Sequence, residues 1–117
     1  MASLTRFALA GLLAITPVAA AAHHGWSSYI EAEPITLTGF LTEVTWGNPH
    51  GSAKMVWQGK EWDVILAPVT RMTARGLNLQ DINARQRISM TGYVRRDGTP
   101  EMRVERIMIE GKTIELR

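Results

Sequence analysis

From residue 35 onward apolar side chains recur mostly at every second position, and this period constrains the chain toward β-structure more than any other feature. Ile35, Leu37, Gly39 and Leu41 alternate with Thr36, Thr38 and Phe40, as side chains on the two faces of a strand must. The phase then slips, because Val44 and Trp46 fall on even positions. One extra residue near Thr42-Glu43 would restore the facing, so a bulge is expected there, with Gly39 easing a bend. Ala53, Met55 and Trp57, then Trp62, Val64 and Leu66, alternate on either side of Gln58-Gly59 and predict a hairpin. In this pattern Trp57 and Trp62 occupy core-facing positions, so their rings are expected to pack rather than stack on a ligand.

A helix is expected next. Pro68 suits a first helical position, Val69 and Met72 are three apart, Gly76 can end the helix, and Leu77 to Ile82 can add a turn. Strands follow at Ile88 to Val94 and at Met102 to Ile109, joined tightly at Asp97-Gly98. Glu110-Gly111 then turns the chain into a short last strand at Thr113 to Leu116. This order predicts a mainly β fold, a small OB-like five-stranded barrel with one short helix between strands 3 and 4. A flat sheet on one helix would accommodate the same order. The early bend favours the barrel, because closure requires a strongly coiled first strand.

The residues before the barrel read differently. Met1 to Arg6 carries one positive charge, Phe7 to Ile15 is unbroken apolar sequence, Pro17 interrupts it, and alanines follow. These are the three parts of a secretory signal peptide. The apolar run to Ala22 falls short of the ~20 residues of a spanning helix, so cleavage is expected rather than anchoring. The expected organisation is a signal peptide over residues 1–22, an N-terminal arm over 23–34 and the OB-like domain over 35–117. A periplasmic or secreted protein with no stable membrane span follows from it.

Composition narrows the chemistry. Processing removes Arg6 alone, leaving 12 basic against 11 acidic residues and a formal charge of +1. Such a surface offers no general attraction to polyanions, and nucleic acid is not an expected partner. The chain has no cysteine, which excludes disulfides, thiolate metal sites and thiol catalysis. Stability must come from packing alone.

The three histidines are confined to two motifs. His23 and His24 stand at the expected processed end, and His50 lies in Trp46-Gly47-Asn48-Pro49-His50-Gly51. Cleavage after Ala20 or Ala21 places a histidine third, so an amine, two amides and an imidazole can surround a metal in one plane. Cleavage after Ala22 puts the free amine on His23 itself, and His50 can supply a further nitrogen. Tetragonal nitrogen coordination favours Cu(II), with Ni(II) second. Copper is therefore the expected ion, His23, His24 and His50 the expected ligands, and Trp26, Asn48 and Pro49 the supporting residues. The plainer reading is that the histidines form a solvated leader and that His50 caps the turn begun by Asn48-Pro49. Glu31, Glu33 and Glu43 can offer an oxygen ligand, but their spacing does not demand it. Arg103, Glu105 and Arg106 read as an exposed charged strand face.

Ala22-His23-His24-Gly25-Trp26-Ser27-Ser28-Tyr29, Ile35-Thr36-Leu37-Thr38-Gly39, Trp46-Gly47-Asn48-Pro49-His50-Gly51, Leu66-Ala67-Pro68 and Arg96-Asp97-Gly98-Thr99-Pro100 together resemble a family of small exported bacterial proteins of unknown function. The resemblance covers nearly all of the processed chain. It implies an exported protein with a fold similar to small periplasmic OB-like domains, and it carries no activity.

Capture, buffering or delivery of copper without catalysis is the leading functional expectation. The rival is an adaptor that docks on a periplasmic or membrane protein and binds no metal. Whether the chain is an enzyme is left open, and the lack of a phosphate loop, nucleophile elbow or clear acid–base pair weighs against it. The expected processing is directly measurable. Intact mass of the exported protein should place the first residue at Ala21, Ala22 or His23. Recovery of residues 1–20 still attached in a membrane fraction would remove every chelate that needs a free amine.

Overall fold

A computed structural model describes residues 25–83 and 85–117. The expected signal peptide, together with His23 and His24 of the expected arm, lies outside these described residues. The arm enters through a 3-10 turn at Trp26–Ser28. The strands are β1 (Ile35–Gly39), β2 (Leu41–Thr45), β3 (Ser52–Trp57), β4 (Lys60–Ile65), β5 (Ile88–Val94), β6 (Glu101–Ile109) and β7 (Lys112–Glu115). Two short helices, α1 (Val69–Ala74) and α2 (Leu79–Asn83), separate β4 from β5.

The chain is mainly β, as its period-two pattern predicts. The strands hydrogen-bond in the order β1-β5-β6-β4-β3-β2, and β7 joins β6. All pairs are antiparallel except β4 with β6, which run parallel over Asp63–Ile65 and Glu101–Arg103. This is an open sheet of seven strands, not the closed five-stranded barrel expected. Phe40 divides the bent first strand into β1 and β2, which form the two ends of the path. As successive pieces of one segment they meet end to end, so no ladder closes between them. The last short strand, β7, adds the seventh.

The single expected helix is also two. The chain leaves α1 at Arg75-Gly76, and the Asp81 carboxylate then accepts from the Asn78 backbone N–H at 2.9 Å. An acidic side chain three residues along restarts a helix in this way.

The two phase slips keep apolar residues on one face. The β2–β3 register shifts between Thr42 and Thr45, with Glu43 at φ 47°, where the alternation breaks in the sequence. A second irregularity was not anticipated. Thr91 pairs with Arg106 but Gly92 pairs with Val104, leaving Glu105 as the extra residue in β6. It lets Met102, Val104, Ile107 and Ile109 all turn inward. They join Leu37, Met55, Trp62, Val64, Ile88 and Met90 from the other strands and Met72 and Ile82 from the helices in one core. Trp62 is buried as expected, and half-buried Trp57 meets it edge-on at 6.2 Å between centroids.

Gly92 is where β5 and β6 come closest. A Cβ at this position would lie 2.2 Å from the Arg103 carbonyl oxygen, a backbone atom that cannot swing away. Gly92→Ala should therefore separate β5 from β6 and cost about 3 kcal/mol or more of unfolding free energy in denaturant titration. Trp62→Ala should cost about 3–5 kcal/mol. Gly47→Ala, whose Cβ would meet nothing within 4 Å, should stay within about 0.5 kcal/mol. Equal losses at Gly92 and Gly47 would contradict the packing described.

Candidate functional site

Because Met102 and Val104 face the core, Glu101, Arg103 and Glu105 project from the opposite, outer face of β6. Tyr93, paired with Arg103 across the β5–β6 ladder, projects beside them. The N-terminal arm lies over this group. Ile30 donates to the Val94 carbonyl at 2.9 Å, Arg96 to the Ser28 carbonyl at 3.0 Å, and Tyr29 bridges to Arg95. The arm thus continues along the same edge of β5 that β1 occupies.

Two aromatic side chains fix the arm. Tyr29 has no exposed surface, and its hydroxyl donates to Glu101 Oε1 at 2.6 Å. Burial pushes its phenol far above the usual tyrosine range, and the Glu101 carboxylate adds to the shift. The phenol is therefore a permanent donor, and a hydrogen bond to a carboxylate contributes about 1.5–3 kcal/mol. Trp26 is held by cations over its ring. The guanidinium carbons of Arg103 and Arg117 each lie 4.2 Å from its ring centroid, and Tyr93 meets it edge-on at 5.9 Å. A π-face attracts a cation, and a guanidinium can also stack flat upon it.

Two like charges on one ring need counter-charge. Arg117 contacts Glu31 of the arm and lies 3.6 Å from Glu105. Glu105 also accepts from the Tyr93 hydroxyl at 2.8 Å, and that bond, more than burial, raises the Tyr93 phenol above its ordinary value. Burial, with the neighbouring Arg117 and Arg71, pulls the Arg103 guanidinium below its usual range. It stays charged, since arginine begins so far above neutrality. Helix α1 and its C-cap Arg75 hold the segment that carries Arg117. Arg71 donates to the Leu116 carbonyl at 3.0 Å, and Arg75 to the Glu115 and Arg117 carbonyls at 2.6 and 3.1 Å.

His50 belongs to a different locus, the loop between β2 and β3. Gly51 donates to the Ala67 carbonyl at 3.0 Å and accepts from Leu66 N–H at 2.9 Å, fastening the loop to the chain entering α1. A Cβ at Gly51 would come within 2.9 Å of Met72 Cε, so the buried glycine lets the loop sit directly on the core. The His50 ring is half-buried, with Nδ1 3.1 Å from the Gly51 carbonyl. A carbonyl can only accept, so Nδ1 donates this bond. Asn48 and Pro49 are exposed and joined by a cis peptide.

Of the six residues expected to form or support the site, the structure describes four and divides them between these loci. Trp26 lies on the outer face of β6, while His50, Asn48 and Pro49 lie in the β2–β3 loop. His23 and His24 fall outside the described residues. Among the described residues, no group of three His, Asp or Glu side chains is placed to hold a metal ion. A site containing His50 would have to take further ligands from elsewhere. Glu31, weighed as an oxygen ligand, pairs with Arg117 instead.

The sequence reading missed the role of Tyr93, Arg103, Glu105 and Arg117. Arg103 and Glu105 are not a merely solvated face, although Arg106, paired with Glu115 at 2.6 Å, is. The available signal was two aromatic residues upstream of the first strand, set against alternating Glu101, Arg103 and Glu105.

The described residues contain no helix long and apolar enough to cross a membrane. No curated protein matches the chain. A family model described as a family of unknown function, DUF6152, matches residues 10–103. With most of its length covered by that match, the chain belongs to this family of unknown function.

Proposed function

We propose that this chain is an exported, non-enzymatic OB-like protein that binds copper through the histidines of its processed N-terminus together with His50. The observation that carries the reading is the orientation of the His50 ring. Its Nδ1–H is committed to the Gly51 carbonyl, and this loop is fastened to the core through Gly51. Metal-ligating histidines use such a bond on one nitrogen to orient the other. The amine and imidazoles expected at a start on Ala21, Ala22 or His23 would complete a nitrogen-rich set that suits Cu(II). The role is capture, buffering or delivery in the periplasm or outside the cell.

The OB-like part of the reading rests on strand order. Counting β1 and β2 as one bent strand, the open path takes the strands in the order first, fourth, fifth, third and second. The third and fifth members pair in parallel, and the helices intervene between third and fourth. The end of β1 also comes back against β3, since a Cβ at Gly39 would lie 3.5 Å from Met55 Sδ and 3.6 Å from the Val56 carbonyl oxygen.

One observation favours the second reading, a partner-binding module without metal. Phe40 and Val56 are 53 % and 62 % exposed, large apolar residues left in water. Leu41 pairs with Met55, so Phe40 falls beside Val56 and the two make one apolar spot. Contiguous exposed apolar surface marks interaction sites.

Titration separates the readings. The correctly processed protein should bind one Cu(II) more tightly than a free peptide of its first eight residues. His50→Ala should weaken that affinity at least tenfold, and one added residue before the native first position should displace the chelate. Equal affinities for protein, peptide and His50→Ala would make the metal incidental and leave the docking module as the better account.

A further inference from the structure

Three guanidiniums meet where α1, β6 and the segment after β7 converge. Leu116 fixes the meeting point. Its N–H donates to the Glu105 carbonyl of β6 at 2.7 Å, and its own carbonyl accepts from Arg71 Nη1 at 3.0 Å. Arg71 is thereby held beside β6. Arg117 is the next residue, and its guanidinium carbon lies 4.2 Å from the Trp26 ring centroid. Arg103, two residues before Glu105 on β6, reaches the same ring at the same distance. The three side chains come from a helix, a strand and the segment after β7, so no local charge run in the sequence announces them.

Counter-charge is unevenly placed around them. Glu31 and Glu105 both lie on Arg117. Arg71 is bonded to a neutral carbonyl and, among the described residues, makes no ion pair. It is exposed and keeps N–H donors beyond the one on Leu116. Burial first, and the like charges of Arg117 and Arg71 as well, work against the charge on half-buried Arg103. Positive charge fixed in this way suits an anion, and geometry selects its kind. A carboxylate is a flat fork that matches one guanidinium. Arg71 and Arg103 approach from different elements, and a tetrahedral oxyanion can present separate oxygens to each.

We propose that Arg71 and Arg103, with Arg117 adding charge, form a binding site for a phosphate-class oxyanion beside β6. The anion would join α1 to β6 through two guanidiniums while the Trp26 contacts stay in place. The site uses no histidine and no metal, so it is independent of the copper reading. Free phosphate, a phosphate monoester and a phospholipid headgroup share the chemistry it would recognise.

Nuclear magnetic resonance can test the site directly. The exported protein with 15N-labelled arginine would be titrated with inorganic phosphate at constant ionic strength, and its arginine Nε–H signals followed. The Arg71 and Arg103 signals should move together along one saturable curve. Arg71→Gln should weaken phosphate binding about tenfold or more, with its denaturation midpoint in phosphate-free buffer within a few per cent of the parent's. Arg71→Lys keeps the charge but loses the fork, and should give an intermediate affinity. Arg87→Gln is the control. It removes the same charge at the far end of β5 from Tyr93, about 20 Å along the strand, and should leave affinity within about twofold. Vesicles of phosphatidylglycerol, compared with phosphatidylcholine, separate the sources. Capture that Arg71→Gln abolishes identifies a lipid phosphate, whereas phosphate binding without capture identifies a free one. Equal affinities for the parent, Arg71→Gln and Arg87→Gln, or shifts that never saturate, would mark general screening and overturn the proposal. Copper binding can fail with this site intact, and this site can fail with copper binding intact.

Discussion

Strand β6 gives one edge to β5 and divides the other between β4 near its start and β7 near its end. Every other pairing depends on this division. The parallel β4–β6 contact carries the β3–β4 hairpin, and with it the His50 loop, into the sheet. The β6–β7 contact brings Arg117 back beside Trp26. Sharing an edge between two partners requires strong local twist, and β6 supplies it through the extra residue at Glu105. Gly92 lets β5 follow closely, because a side chain there would collide with the Arg103 carbonyl. A chain without cysteine gains this closeness from packing alone.

The inner and outer faces of that strand do different work. Inward, Met102, Val104, Ile107 and Ile109 bury apolar surface in the shared core. Outward, Glu101, Arg103 and Glu105 hold the arm. Tyr29 is retained by burial and a carboxylate, Trp26 by two guanidiniums whose charge Glu31 and Glu105 offset. The proposed function gives this investment a purpose, since a chelate at a chain end gains affinity and selectivity when its partner ligand is already in place. The His50 ring is oriented by its bond to the Gly51 carbonyl.

Much of the strand pattern was legible because it is local. The hairpin around Gln58-Gly59, the helix after Pro68 and the bulge near Thr42-Glu43 each follow from spacing within a few residues. The split at Phe40 and the extra residue at Glu105 depend on partners elsewhere, and no local period reports them. The arm's anchorage was least legible. Tyr29 reaches Glu101 across 72 positions, and Glu31 reaches Arg117 across 86. His50 stood out by residue type and scarcity, but its ring orientation depends on a carbonyl direction that only the folded loop defines. For His23 and His24 the sequence argument stands alone.

The central claim is that a folded loop and a processed chain end share one metal ion, and pulsed electron paramagnetic resonance tests it most directly. Cu(II) would be added in equal amount to the exported protein with natural-abundance 14N histidine, and to its His50→Ala variant. The account predicts that the modulation from a coordinated imidazole falls by one histidine in the variant. Identical modulation in the two proteins would place His50 outside the copper sphere and contradict it.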